Sequence, residues 1–238
     1  MLKDRSSDTI AAVATAMSSS GIGIVRVSGS DAFSIVNEIF ESKKKNFDLR
    51  KAPSHRVHYG MIKDGEEILD EVLVIAMRGP HSYTAEDTVE IDCHGGVLVM
   101  KKILETVIKY GARTAEPGEF TKRAFLNGRI DLSQAEAVMD VIHSKNDYAM
   151  KSSVSQLKGS LSRKIRKLRE DILYQIAFIE SALDDPEHIS LEGYEDELME
   201  KLNPMIDQME SMVRSADNGK IVTEGIKTVI LGKPNAGK

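Results

Sequence analysis

The last residues of the chain have the spacing of a phosphate-binding loop. Gly232 is followed, after four residues, by Gly237 and Lys238, which is the pattern of a nucleotide-binding P-loop up to its final Ser or Thr. In such a loop the glycines let backbone N–H groups point at phosphate oxygens, the lysine reaches the β and γ phosphates, and the hydroxyl binds Mg²⁺. The apolar stretch 227–231 before it is typical of a strand. We therefore interpret this segment as the start of a nucleotide-binding domain rather than as a glycine-rich surface turn.

The hydroxyl position of this motif and the helix that should follow it do not occur in the 238 residues. The helix N-terminus is the part of a P-loop that holds the phosphates, and the hydroxyl holds the metal. We therefore expect that this chain alone neither binds nor hydrolyses a nucleoside triphosphate.

A second group of polar side chains lies in the middle of the chain, on a strand predicted over residues 88–94. One face of this strand is apolar, and the other carries Thr88, Glu90, Asp92 and His94. Gly95 and Gly96 follow and would allow another group to approach the backbone closely. Residue types alone favour solvated strand charges here, because charged side chains are mostly exposed. Cys93, on the apolar face, is predicted to be a small buried hydrophobe.

The elements that would position these residues change in character along the chain. In the first part, the apolar patterns predict strands at 22–27, 57–61 and 72–77. Val57, Tyr59 and Met61 are expected to form the apolar side of a half-buried strand. Helices are predicted from Asp31, a candidate N-cap, and over 97–110, where Gly111 ends the helix. This mixture predicts an α+β domain over residues 1–125.

The second part has helical periodicity only. Ser133 and Glu136 have the spacing of a capping box, and apolar residues in steps of three and four predict a long helix over 161–183. Another helix is predicted over 194–214, with Pro204 either starting a new helix or kinking this one. We therefore predict an all-α domain over 126–220 and the beginning of a third domain over 221–238.

Composition excludes several classes of protein. The net charge is −5, the hydrophobic fraction is 41% and the charged fraction is 29%, near the average of soluble globular proteins. No apolar run reaches the ~18 residues of a membrane span, and the first residues lack the apolar core of a signal peptide. One cysteine excludes an internal disulfide and a multi-cysteine zinc site. We therefore expect a cytoplasmic protein without membrane association.

Six sequence blocks occur in an order that is typical of one family. They are Asp8–Ala12, Gly21–Gly29, Glu86–Gly96, Pro117–Arg129, Asp131–Ala137 and Gly232–Lys238. On these blocks the chain resembles the tRNA modification GTPases of the MnmE family, also called TrmE, over essentially its whole length. The resemblance implies that the 238 residues correspond to the N-terminal and part of the helical region, ending inside the P-loop. Residues 16–20 differ from the Pro-Pro-Gly-Arg-Gly-like loop of many relatives.

The resemblance also implies a function. In the family, an N-terminal folate-binding domain forms a homodimer, and a GTPase domain is inserted into the helical domain. With an FAD-containing partner, MnmG (GidA), the family modifies the wobble uridine of certain tRNAs at C5. The cofactor implied is a tetrahydrofolate, in the 5-formyl or 5,10-methylene form. GTP, Mg²⁺ and K⁺ would act in the full-length family only.

The matching positions imply specific ligands. Arg26, Glu90 and Arg129 match the folate contacts, where a carboxylate suits the adjacent N–H donors of a pterin and an arginine suits the anionic glutamate tail. None of the three is implied to be an acid–base catalyst. The nucleotide-binding positions of the P-loop are Gly232, Asn235, Ala236, Gly237 and Lys238, and Asn235 matches a K⁺ ligand of the family.

Other interpretations stay open at this point. The chain could be a structural dimerisation module whose cleft binds nothing, or a folate-dependent aminomethyl transferase, whose folate domain is similar. A solvated helix face or a contact with tRNA phosphates would each explain a basic cluster made of Lys158, Arg163, Lys164, Arg166, Lys167 and Arg169. The acidic run 184–200 is interpreted as a solvated helix end and loop rather than a cation site.

Overall fold

The computed structural model describes residues 8–224, 228–229 and 231–232. The chain divides into two compact units, one ending at Ile130 and the other beginning at Asp131. The first unit contains the β-sheet and the second contains helices, which confirms the predicted α+β domain followed by an all-α domain. The division lies five residues after the predicted domain boundary.

Within the described residues of the first unit, seven strands form one sheet in the order β3-β4-β5-β6-β2-β1-β7. All neighbouring strands are antiparallel except β1 and β7. The strands are β1 Ile10–Val13, β2 Gly23–Ser28, β3 Phe40–Ser42, β4 Arg56–Asp64, β5 Glu67–Met77, β6 Thr88–Cys93 and β7 Arg113–Thr114. The helices are α1 Ala32–Ile39, α2 Val97–Lys109 and α3 Glu119–Leu126.

The core of this unit lies between one face of the sheet and helices α1 and α2. Alternation places Val25, Val27 and Ile91 on the buried face, where each is fully buried. From α2, Met100 and Ile103 join the same cluster, since their spacing of three residues puts them on one side of the helix. The predicted helix over 97–110 is therefore confirmed, with Gly111 following it at φ 122°.

The opposite face of the sheet is open, and here one expectation from the sequence is wrong. Residues 57–61 do form part of β4, but Val57 and Tyr59 are 57% and 49% exposed, while Gly60 and Ile62 are buried. The ring of Phe40 packs over Gly60, where a Cβ atom would come within 2.6 Å of it. The space that a large side chain would fill is thus occupied from β3, and the bulkier residues of β4 lie on the open face.

One local detail of this unit also differs from the predictions. Asp31 precedes α1, but its side chain makes no capping hydrogen bond; instead its backbone N–H donates to Thr9 Oγ1 at 3.0 Å. A contact from a distant part of the chain thus replaces the local one.

The second unit consists of helices α4 Leu132–His143, α5 Asp147–Leu157, α6 Ser160–Asp184 and α7 Tyr194–Glu224. The helix predicted over 161–183 is therefore confirmed. The capping box at the start of α4 is formed by Asp131 and Gln134, not by Ser133 and Glu136 as predicted. Ser133 Oγ donates to the Asp131 carboxylate at 2.7 Å, which leaves the capping role to Asp131.

Helix α7 is continuous through Pro204, so Pro204 does not start a new helix. No helix among the described residues is long and apolar enough to cross a membrane. Beyond α7, Thr228, Val229 and Leu231 lie in neither helix nor strand, so the strand expected there is not formed at these positions. Residues 227 and 230 lie outside the described residues.

Candidate functional site

Arg26 and Glu90 lie directly opposite each other on the neighbouring strands β2 and β6. Arg26 Nε donates to Glu90 Oε1 at 2.6 Å, and the two side chains are 24% and 16% exposed. Alternation places both on the open face of the sheet, because Val89 and Ile91 point into the core and are fully buried. The predicted polar position of Glu90 is confirmed, and antiparallel pairing places an arginine beside it.

The structure brings Arg129 to the same place from a different element. Arg129 follows α3, where its backbone N–H donates to the carbonyl of Ala124 at 2.9 Å. Its guanidinium carbon lies 5.0 Å from the ring centre of Tyr83, and that of Arg26 lies 5.2 Å from the same ring. Such distances allow cation–π attraction. Two of the three residues predicted to contact folate, Arg26 and Arg129, therefore meet at one aromatic ring, and Glu90 joins them through its bond to Arg26.

Sequence reasoning missed the aromatic part of this site. Tyr83 lies in the loop before β6, and Phe120 lies on α3 with its ring centre 5.5 Å from the guanidinium carbon of Arg26. Phe120 stands inside the Pro117–Arg129 block, and Tyr83 lies three residues before the Glu86–Gly96 block. The two rings are 37 residues apart in the chain, so no local pattern indicated that they would lie at one site.

The loop that carries Tyr83 is held on both sides. The Tyr83 hydroxyl lies 2.9 Å from Thr121 Oγ1 on α3. Thr84, next to it, is fully buried; its hydroxyl lies 2.7 Å from Ser28 Oγ on β2, and its carbonyl accepts from Asn127 Nδ2 at 2.7 Å. These bonds connect the loop to a strand and to α3, so the ring of Tyr83 is fixed against two elements.

A buried ion network fixes α3 beneath the site. Arg123 is 5% exposed and donates to Glu86 Oε2 at 3.0 Å, to the carbonyl of Asp8 at 2.7 Å and to Glu119 Oε1 at 3.2 Å. Arg113 donates to both oxygens of Glu119, at 2.6 and 2.8 Å. The hydrogen bonds from Arg113 lower the pKa of Glu119 to about 2. The network therefore joins α3, which carries Phe120, to the loop before β6 through salt bridges.

Two further polar residues follow Glu90 along the open face of β6. Burial and the charge of Glu90 raise the pKa of Asp92, and Asp92 Oδ1 is buried without a hydrogen-bond partner among the described residues. His94 is exposed, and its Nδ1 lies 2.7 Å from Asp70 Oδ1; this hydrogen bond raises the pKa of His94. In the described part of the chain no group of three or more His, Cys, Asp or Glu side chains could hold a metal.

Cys93 and Gly95 have structural roles. Cys93 is 4% exposed, and burial raises its pKa to about 11, so the thiol is unreactive at neutral pH. A Cβ atom on Gly95 would lie 2.5 Å from the carbonyl oxygen of Ser20. The close approach that the sequence predicts at this glycine is therefore made by the chain's own loop, whose Ser20 N–H donates to the Gly95 carbonyl at 3.0 Å.

The other predicted site residues are not brought to this place by the described structure. Gly232 is exposed and lies in no helix or strand. Four P-loop positions lie outside the described residues: Asn235, Ala236, Gly237 and Lys238. In the basic cluster, Lys167 Nζ lies 3.6 Å from Asp171 Oδ2 on the surface of α6, and a contact of this cluster with tRNA stays a prediction.

The donors and acceptors around Tyr83 fit the chemistry of a folate. Among the described residues, the hydrogen bond to Glu90 reaches Oε1 only, which leaves Oε2 to accept an N–H from a pterin. Arg129 is exposed and can bind a carboxylate bidentately. The rings of Tyr83 and Phe120 provide flat apolar surfaces next to both charges.

Comparison with protein families agrees with the resemblance drawn from the motifs. The family model described as "GTP-binding protein TrmE N-terminus" matches residues 9–129, and the model described as "MnmE helical domain" matches residues 132–234. The first match contains the whole site described above.

Individual relatives are similar over almost the whole chain. A protein of Lachnoclostridium phytofermentans named "tRNA modification GTPase MnmE" is 58% identical over 231 residues, covering 97% of this chain and 50% of the relative. Proteins with the same name from Alkaliphilus oremlandii and Streptococcus gordonii are 51% and 50% identical, over 97% and 98% of this chain and 50% and 51% of theirs. The chain thus spans about half the length of the curated relatives it matches.

Proposed function

Because the chain belongs to the MnmE family of tRNA modification GTPases, we propose that its first unit binds a reduced folate at Arg26, Glu90 and Arg129. The bound cofactor would be a tetrahydrofolate, and its 5,10-methylene form supplies a one-carbon unit when bound. In this proposal the chain forms the N-terminal portion of a GTPase that modifies the wobble uridine of tRNA at C5. MnmG is the proposed protein partner.

The observation that carries the proposal is the convergence of separate segments on one ring. Arg26 comes from β2, Glu90 from β6 and Arg129 from the segment after α3, and Tyr83 lies within 5.2 Å of both guanidinium carbons. Cross-strand pairing explains why Arg26 meets Glu90, but it does not explain why Arg129 joins them from a separate segment. A half-buried carboxylate with one oxygen available, flanked by two arginines and flat rings, fits an anionic ligand that carries a heterocycle.

Each charged residue has a distinct part in the proposed binding. Glu90 accepts hydrogen bonds from the adjacent N–H donors of the pterin, and Arg26 orients the Glu90 carboxylate through the bond at 2.6 Å. Arg129, at the exposed side, binds the carboxylates of the glutamate tail. These residues bind and orient the cofactor, and none of them is proposed to transfer a proton.

A purely structural role is the second candidate, and the open face of the sheet favours it. Val57, Tyr59 and Leu73 expose 57%, 49% and 43% of their surface there, and exposed apolar patches of this kind often mark interfaces. We include homodimer formation through the first unit in the proposal. Folate binding distinguishes the two candidates, because a scaffold with an empty cleft would not need the Arg26–Glu90 pair.

The test is calorimetric titration of the chain with 5-formyl-tetrahydrofolate, for wild type and Glu90→Gln. The variant keeps the shape but loses a charge-assisted bond and presents an amide donor to a donor of the pterin. We expect a loss of about 2–4 kcal/mol of binding free energy, or roughly thirty- to several-hundred-fold in affinity. Glu105→Gln, at an exposed position on α2, is the matched control. Unchanged affinity in a folded Glu90→Gln protein would remove Glu90 from the site.

A further inference from the structure

Tyr83 is the aromatic residue that lies close to both arginines of the site. Arg26 and Glu90 form a direct ion pair, and Arg129 comes from a different segment, after α3. The ring of Tyr83 lies about equally far from both guanidinium carbons, at 5.2 and 5.0 Å. Tyr83 is therefore the side chain that connects the Arg26–Glu90 pair to Arg129.

The order of chemical groups along a folate matches this order of residues. A folate has a pterin at one end, a glutamate at the other, and a flat aminobenzoyl ring between them. If Glu90 binds the pterin and Arg129 binds the glutamate, the aminobenzoyl ring must pass the side chain that lies between them. Aromatic rings at such a distance attract each other in offset or edge-to-face arrangements.

The ring is held in a way that suits a contact surface. Tyr83 is half-buried, and its hydroxyl is bonded to Thr121 Oγ1 at 2.9 Å, which fixes the ring by its polar end. The neighbouring Thr84 is fully buried and bonded to Ser28. A ring that is already fixed loses little conformational entropy when a ligand packs against it.

A ligand can reach the ring of Tyr83 because the guanidinium group of Arg129 is held there only weakly. Arg129 is exposed, and an exposed cation over a ring is held by only about 0.5–1 kcal/mol. A carboxylate offers Arg129 a stronger, bidentate partner. Binding of the glutamate tail therefore draws Arg129 from the ring, and the aminobenzoyl group takes its place.

We propose that Tyr83 stacks on the aminobenzoyl ring of the bound folate and so determines that the site accepts a folate rather than a free pterin. This inference rests on the proposed folate function of the same site. Phe120 differs, because its ring lies near Arg26 at 5.5 Å, at the pterin end. Tyr83 thus recognises the part of the ligand that neither Glu90 nor Arg129 contacts.

The experiment compares four proteins in titrations with 5-formyl-tetrahydrofolate: wild type, Tyr83→Leu, Tyr83→Phe and Tyr148→Leu. Tyr148, 79% exposed on α5, is the matched control. Loss of a stacking ring predicts an affinity about ten- to hundredfold lower for Tyr83→Leu. Tyr83→Phe keeps the ring and is expected to stay within about threefold of wild type, since the net value of one hydrogen bond is small. Tyr148→Leu should bind like wild type.

A spectroscopic measurement on the wild type tests whether the aminobenzoyl ring of the ligand packs against an aromatic side chain. It can be made even if Tyr83→Leu fails to fold. Proton NMR of the ligand should show upfield ring-current shifts of the aminobenzoyl protons with wild type and with Tyr83→Phe. Wild-type affinity in a folded Tyr83→Leu protein, an equal loss in Tyr83→Phe, or unshifted aminobenzoyl protons would each overturn the role of Tyr83. Absence of any folate binding by the wild type would instead overturn the proposed function itself.

Discussion

The two units of this protein bury their apolar residues to very different degrees. In the first unit, the sheet and helices α1 and α2 enclose a continuous core in which Val25, Ile91 and Met100 are fully buried. In the second unit, the described apolar side chains that are buried are Ala137, Ala149, Leu168, Ala182 and Tyr194. The helices α4 and α6 instead expose large residues, with Ile142 and Leu183 each 68% accessible.

The difference shows where the stability of the chain resides. A unit that encloses its own apolar face gains roughly 25 cal/mol for each Å² removed from water, whereas exposed stripes contribute nothing until another surface covers them. The candidate folate site lies entirely in the unit with the enclosed core. Its residues are therefore held by the sheet and helices of that unit.

The largest expected effect comes from the buried ion network below the site. Arg123→Met would leave Glu86 without its buried arginine and remove one of the two arginines bonded to Glu119, which we expect to lower the free energy of unfolding of the first unit by about 3–5 kcal/mol. Hydrogen exchange of the β2 and β6 amides measures this. Arg166→Met, at an exposed position of α6, should change stability by less than about 0.5 kcal/mol. If the β2 and β6 amides exchanged at equal rates in both variants, the buried network would not stabilise the first unit more than an exposed arginine of α6 does.

The apolar cores can be compared with one pair of substitutions. Ile91→Ala removes a fully buried side chain from β6, and we expect a loss of about 2–5 kcal/mol. Ile142→Ala removes a side chain that is 68% exposed on α4, and we expect a change within about 0.5 kcal/mol. Urea unfolding followed by hydrogen exchange in each unit measures both. A large effect of Ile142→Ala would show that the helical unit is covered by another surface in solution.

Acid should weaken the first unit through Glu119. The pKa of this carboxyl is lowered from 4.5 to about 2 in the folded protein, so the folded state binds its proton less readily than the unfolded chain. Its contribution to stability is complete above pH 4.5 and is lost as the pH falls toward 2. The stability difference between wild type and Glu119→Gln, measured by urea unfolding at several pH values, should therefore shrink over this range. A constant difference would mean that Glu119 is not the titrating group.

The smallest expected effect compares one substitution in the two units. Ala85 has φ 60°, a left-handed conformation that costs a residue with a Cβ atom about 1 kcal/mol or more, so Ala85→Gly should stabilise the first unit by up to about 1 kcal/mol. Ala182→Gly, in the buried side of α6, should destabilise the helix by about 1 kcal/mol. Thermal melting curves of both variants provide the measurement. The same sign for both changes would argue against strain at Ala85.

Local patterns in the sequence predicted most of the elements. The helix over 161–183 and the helix ended by Gly111 follow from a periodicity of 3.6 residues, and the polar position of Glu90 follows from alternation along β6. These features depend on residues that are close in the chain. The six sequence blocks likewise indicated the family, because each is a short and specific run of residues.

Contacts between distant segments decided the rest. The buried face of β4 was not predictable from β4 itself, because Phe40 of another strand fills the space over Gly60. The start of α4 is a local exception: it was misplaced because Ser133 bonds to Asp131, two residues before it, whose carboxylate caps the helix. The aromatic and ionic surroundings of the site, Tyr83 and Arg123 above all, join segments from separate parts of the chain.

The sequence alone therefore predicted the main helices and the central strands, the family of the chain and the charged residues that are candidates for binding. Only the tertiary structure decided that Arg26 and Glu90 pair across β2 and β6, and that Arg129 meets them at Tyr83. The physical reason is that propensity and periodicity act within a few residues, whereas a binding site is made by strand register and by loops held against distant helices.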